Sequence, residues 1–164
     1  MNGYLWLKYL HELAAIWFIA GILGRQLVRY LARQSGDVHH LAGLIKVASR
    51  FEAWMVIPGN LLVIGLGALL AWQGGWPLLG FLQGAATNWL LLTNLLLLAG
   101  LLLVPFVYIP RGKRFDQELQ DAQAKGQVTP ALIACLNDPV VKYAHWGEYV
   151  GLLIILALMV LKPF

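Results

Sequence analysis

Residues Ala53–Trp72 read AWMVIPGNLLVIGLGALLAW, and residues Asn88–Ile109 read NWLLLTNLLLLAGLLLVPFVYI. No charged residue stands anywhere between Glu52 and Arg111. A helix needs about 20 mostly apolar residues to cross a hydrocarbon core about 30 Å thick, and both runs are that long. The linker Gln73-Gly74-Gly75-Trp76-Pro77 has the glycine and proline chemistry of a turn. This stretch therefore predicts a transmembrane helical hairpin.

Working outward, two further apolar runs flank the hairpin, about Tyr4–Leu23 and Val140–Leu161. With 60% apolar and only 12% charged residues, the chain falls outside the soluble globular class. The expected fold is all-α, a polytopic membrane four-helix bundle forming a single transmembrane domain over residues 1–164. The lipid bilayer is its first partner. The first run lacks a charged leading region and is followed by Arg25 and Arg29 rather than a small-residue cleavage site, so it reads as a retained helix. The lone Cys135 excludes an internal disulfide and reads as a small packing residue.

Basic residues near the span ends set the expected orientation. Arg25, Arg29, Arg33, Lys46 and Arg50 lie between the first and second spans; Arg111, Lys113, Arg114, Lys125 and Lys142 lie between the third and fourth. The opposite side has only Lys8 and Lys162. Both termini are expected on the periplasmic side of a bacterial inner membrane. The net charge of +4 is read as this bias, with no nucleic-acid partner.

Local signals refine the picture. Ser35-Gly36-Asp37 should break the first helix, and His39 and His40 should open the second as exposed residues; adjacent helical residues diverge by about 100°, a poor metal geometry. Pro58 should kink the second span and free carbonyls toward neighbours, with Gly65 and Gly67 permitting close approach. Pro105 should bend the third helix and Pro110 end it. A cytoplasmic amphipathic segment follows over about Gly112–Asp138, with Phe115–Gln120 helical, Thr129-Pro130 starting another helix, and Asp138-Pro139 capping the fourth span. The aromatic residues near the span ends, Tyr108 among them, read as an interfacial belt.

Polar residues at membrane depth are expensive and so mark function or assembly. On a wheel of about 100° per residue, His11 shares one stripe with Ala14, Phe18, Gly21, Arg25 and Arg29, whereas Lys8 and Glu12 lie aside and can snorkel. The fourth span carries its own stripe of His145, Glu148, Leu152, Ile155, Met159 and Lys162. An arginine from the basic side is the natural partner of deep Glu148, either as a structural ion pair or as part of a proton or ligand site. The antiparallel run of the first and fourth helices sets His11 and Met159 at similar depth, and histidine with methionine is an axial pair known for haem iron; both residue types also serve as ordinary packing. His145 and Glu148 form half of a di-metal pattern whose other half is missing.

The residues Trp6-Leu7-Lys8-Tyr9-Leu10-His11, Trp17-Phe18-Ile19-Ala20-Gly21, Arg25, Trp54 through Pro58-Gly59, Gly147-Glu148 and Val160-Leu161-Lys162-Pro163-Phe164 resemble the HemJ-type protoporphyrinogen oxidase family. That family comprises four-helix membrane proteins that bind haem b, oxidise protoporphyrinogen and pass electrons to quinone. The resemblance implies haem b on His11, the metal ligand, with Arg25, Glu148 and Lys162 as catalytic residues; Met159 is a further cofactor-ligand candidate from its depth opposite His11 rather than from the resemblance. The chain departs from the family at Tyr30, where the family has histidine, and at Leu91, Thr93, Leu97 and Leu98, where it has a lysine and a Tyr-His pair. Glu52–Gly59 and Arg114–Asn137 are more similar to an uncharacterised bacterial family of predicted integral membrane proteins, a sibling of the HemJ type.

Three functions are compatible with these residues. One is a b-type haem or redox protein; as an enzyme it would be a membrane oxidoreductase acting on a porphyrinogen or quinol, with a quinone or membrane redox partner. Another is a non-enzymatic accessory subunit of a homo-oligomer or larger membrane complex. The last is a small proton-coupled transporter.

Overall fold

A computed structural model describes residues Gly3–Pro163, and every regular element in that range is helical. The helices are α1 (Gly3–Arg33), α2 (Val38–Phe51), α3 (Ile57–Gln73), α4 (Trp89–Leu103), α5 (Ile109–Lys125), α6 (Pro130–Leu136) and α7 (Pro139–Leu161). Four stretches are long and apolar enough to cross a membrane: Gly3–Arg33, Val38–Gln73, Trp89–Lys125 and Pro130–Leu161. Each expected span lies inside one of them, save Asn88, which precedes the first residue of the third. The chain divides into two compact units, one of residues up to Gly75 with Ala122–Val128, the other of Trp76–Asp121 and the residues from Thr129 onward.

In the first unit, α1 buries Ala14, Gly21, Arg25 and Ala32 along one face, the stripe expected from the sequence. Asp37 caps α2 by accepting the His40 backbone N–H at 2.7 Å, so the turn at Ser35–Asp37 falls where the glycine and the cap dictate. Close helix approach is set by glycines. A Cβ on Gly21 would stand 2.6 Å from Met55 Cβ, and one on Gly59 would stand 3.0 Å from Phe18 Cα. Gly67 meets the His11 ring, but Gly65 faces open space. The expectation for Gly65 is thus corrected: only Gly67 of that pair faces a neighbour, and the tightest contacts lie at Gly21, Gly24 and Gly59.

Two π turns interrupt the long helices, at Glu52–Val56 and Val104–Tyr108. Each closes with an i→i−5 hydrogen bond, from Ile57 N–H to the Glu52 carbonyl and from Ile109 N–H to the Val104 carbonyl. A proline, Pro58 or Pro110, follows immediately. A proline ring clashes with the carbonyl four residues back, and the wider π turn moves that carbonyl aside. The helix therefore passes through Pro110 and runs to Lys125, correcting the expectation that Pro110 ends it. Pro58 also leaves the Trp54 carbonyl without its i+4 donor; Trp17 Nε1 donates to that carbonyl at 3.3 Å. Freed carbonyls facing a neighbouring helix were the expected consequence of Pro58.

The second unit opens with an ordered loop. Asn88 Oδ1 accepts the Phe81 N–H at 2.8 Å and Asn94 Nδ2 donates to the Leu78 carbonyl at 2.9 Å. Thr129 caps α6 by accepting the Leu132 N–H at 3.2 Å. Asp138 caps α7 through the Val140 N–H at 2.8 Å and accepts from Arg111 Nε at 3.1 Å. The inward face of α7 includes Ala144, His145 and Leu158, all buried.

Candidate functional site

Three polar arrangements are built into the two units. The first joins α1 to the first π turn. Arg25, 4% exposed, donates through Nη1 to Glu52 Oε2. An arginine pulled out of water needs a carboxylate with good geometry to offset its lost hydration. Glu52 is the first residue of the π turn, so the backbone irregularity and the ion pair share a location. Sequence depth alone pointed to Glu148 as the arginine's partner; it gave no reason to weigh Glu52, which reads as the flank of an apolar run.

Fourteen residues away on the same helix, about 21 Å, His11 is half-buried against α3. A Cβ on Gly67 would lie 3.1 Å from His11 Cε1 and 3.5 Å from Nδ1, so the absent side chain is what admits the imidazole. Its Nδ1 is buried and closes no hydrogen bond. Lys8 and Glu12 stay exposed and pair with each other at 3.8 Å. Their position beside the stripe agrees with the wheel.

The third arrangement lies in the second unit. His145 is 5% exposed, and its Nδ1 meets Glu148 Oε2 at 3.0 Å and Tyr108 Oη at 3.3 Å. The Tyr108 and His145 rings stack with centroids 5.1 Å apart and planes at 19°. A ring nitrogen carries a hydrogen or a lone pair, never both. When Nδ1 is protonated it donates to the Glu148 carboxylate; when it is bare it accepts the Tyr108 hydroxyl. Tyr108 is the last residue of the second π turn. The belt reading is corrected for Tyr108, which is half-buried and stacked on His145.

Lys162 and Met159 take different places. Lys162 caps α7 in the left-handed region (φ 44°), with Nζ 4.5 Å from the Trp76 ring centroid and 5.4 Å from that of Trp89. The two indoles meet edge-to-face at 5.6 Å, forming an aromatic corner around the ammonium. Met159 is half-buried on the inward side of α7. His11, Arg25 and Glu52 thus belong to the first unit, and Tyr108, His145, Glu148, Met159 and Lys162 to the second. Among the described residues no group of three His, Cys, Asp or Glu side chains converges as a metal site. The signal for Tyr108 in the sequence was its place three residues after the helix-distorting Pro105 on a span that meets the His145 helix.

No curated protein and no solved structure matches this chain. A family model does, over residues 5–163, and its description agrees with the four membrane-length helices. The chain belongs to the family described as predicted integral membrane protein (DUF2269).

Proposed function

We propose that the protein is a b-type haem redox protein of the bacterial inner membrane, with both termini periplasmic, and a sibling of the HemJ-type oxidases. The observation that carries this reading is His11: a buried, unsatisfied imidazole nitrogen seated in the notch left by Gly67. A histidine at membrane depth is expensive and so marks function or assembly, and ligation of a haem iron is one such function. His11 would hold the haem, which supplies one-electron transfer when bound. Gly67 admits the ring.

The other residues handle charge and protons. Arg25, fixed by Glu52, presents a permanent cation on the same stripe as His11. The His145 nitrogen, within hydrogen-bond reach of Glu148 and Tyr108, holds a proton beside the Glu148 carboxylate and passes it to that carboxylate. Oxidation of a quinol or porphyrinogen liberates protons as well as electrons, and such a group would accept one.

The Arg25–Glu52 pair favours a second reading, in which the protein is an accessory subunit whose buried charges fix its assembly. The absorption spectrum separates the two. The redox reading expects a Soret band from the detergent-solubilised protein, lost in His11→Ala. A colourless protein after haem supplementation overturns it in favour of the accessory role.

A further inference from the structure

The second unit carries a strip that matches the profile of a phospholipid. Along α7, Asp138, Lys142, Trp146 and Leu153 recur at helical spacing and so share one side. Lys142 is exposed, Trp146 is 60% exposed and Leu153 is 66% exposed. Trp146 also packs edge-to-face on Tyr149, 6.1 Å between centroids. From one end to the other, the strip passes from cation through indole to bare aliphatic surface.

More cations gather at its polar end. Arg111 is tied to Asp138 at 3.1 Å and keeps a third of its side chain exposed. One turn along α5 stands Arg114, exposed beside Lys113. Arg111 thus sits on the Asp138 carboxylate, with Arg114 one turn along α5 and Lys142 one turn along α7. Three cations near the starts of these segments against the one carboxylate of Asp138 give this end of the strip a positive balance. The eleven steps from Lys142 to Leu153 rise about 16 Å, close to half of a ~30 Å hydrocarbon core. That is the reach of one acyl chain.

We propose that this strip is a binding site for an anionic phospholipid, with the headgroup phosphate on Lys142, Arg114 and Arg111, the glycerol region beside Trp146, and a chain along Leu153. A basic residue at a span end attracts anionic headgroups in general; what distinguishes this place is the convergence of two helices through the Arg111–Asp138 bridge, continued by aromatic and aliphatic contact. The site does not depend on the redox reading.

The test is lipid retention by the intact protein, measured by native mass spectrometry from detergent titrated with phosphatidylglycerol or phosphatidylcholine. Phosphatidylglycerol should be retained at least fivefold over phosphatidylcholine. Lys142→Gln with Arg114→Gln should abolish the preference, while Lys46→Gln with Arg50→Gln, in the first unit, should keep it. Equal loss in both pairs would overturn the proposal in favour of diffuse attraction. So would retention unchanged in the Lys142/Arg114 variant. Soluble glycerol phosphate should not compete at millimolar concentration; if it does, the site takes a free phosphate and the lipid assignment fails. Trp146→Ala, which leaves every charge in place, should weaken retention severalfold, and no change there would contradict the strip.

Discussion

Arg25 reaches across from α1 to Glu52, the residue with which the first π turn begins. A regular helix and a π turn present different side chains at the same height, because the extra residue rotates everything before it. The irregular turn is thus the means by which a carboxylate at the edge of an apolar span faces a buried guanidinium. The two residues should behave as one unit. A double-mutant cycle on Arg25→Met and Glu52→Gln, read by unfolding in detergent, should give a coupling of about 1–3 kcal/mol, the range for an ion pair buried on one side only. Additive effects would show that the pair is incidental.

The glycines supply a sharper contrast. Gly59→Ala would set a Cβ 3.0 Å from the Phe18 backbone, where neither helix can yield by moving a flexible side chain. A loss of about 1–3 kcal/mol is expected. Gly65→Ala places its Cβ in open space and removes a flexible residue from a helix, so a gain of about 0.5–1 kcal/mol is expected. Melting temperatures of the two variants in the same detergent should therefore move in opposite directions.

Lys162 tests how much the aromatic corner contributes. Lys162→Ala loses the ammonium from Trp76 and Trp89 yet keeps a side chain in the left-handed region. Lys162→Gly loses the same contact and relaxes the backbone. An exposed cation–π contact contributes about 0.5–1 kcal/mol, and the left-handed conformation costs about 1 kcal/mol for a non-glycine residue. Alanine should be the less stable of the two variants, with glycine near wild type. The reverse order would mean that the capping conformation is unstrained.

Tyr108 and His145 separate stacking from proton sharing. Tyr108→Phe keeps the ring over His145 and removes only the hydroxyl, so a loss near 1 kcal/mol is expected. His145→Ala removes the stack and leaves Glu148 without that partner in a buried face, and should cost about 3 kcal/mol or more. Thermal unfolding of the two variants checks the ordering; equal losses would place all of the contribution in the hydroxyl.

Much of this was legible in the sequence because it follows from strong, local terms. The charge-free stretch from Ala53 to Pro110 and the two flanking runs gave the spans, since burying backbone in lipid leaves a helix as the economical choice. Asp37, Thr129 and Asp138 marked helix starts through their capping chemistry. The inward stripes through Ala14, Gly21 and Arg25, and through His145 and Glu148, followed from the cost of charge in hydrocarbon. The π turns were not legible. Proline announces only that a hydrogen bond is missing, and whether the chain kinks, ends or widens by one residue depends on tertiary contacts such as Trp17 with Trp54. Once the turns are missed, their residues are misplaced: Glu52 reads as a flank and Tyr108 as an interfacial aromatic. Gly65 failed for the opposite reason, because a small residue permits close approach without requiring it.

The central claim, that His11 is held ready to ligate haem, is most directly tested by the haem content of the purified protein. The protein should be expressed with a haem precursor, extracted in mild detergent, and assayed as the pyridine haemochrome against protein concentration. The account predicts near-stoichiometric haem b in the wild type, a severalfold loss in His11→Ala, and an intermediate loss in Gly67→Ala, whose Cβ would press on the His11 ring. Folded, helical wild-type protein without haem, or haem retained in full by His11→Ala, would contradict it.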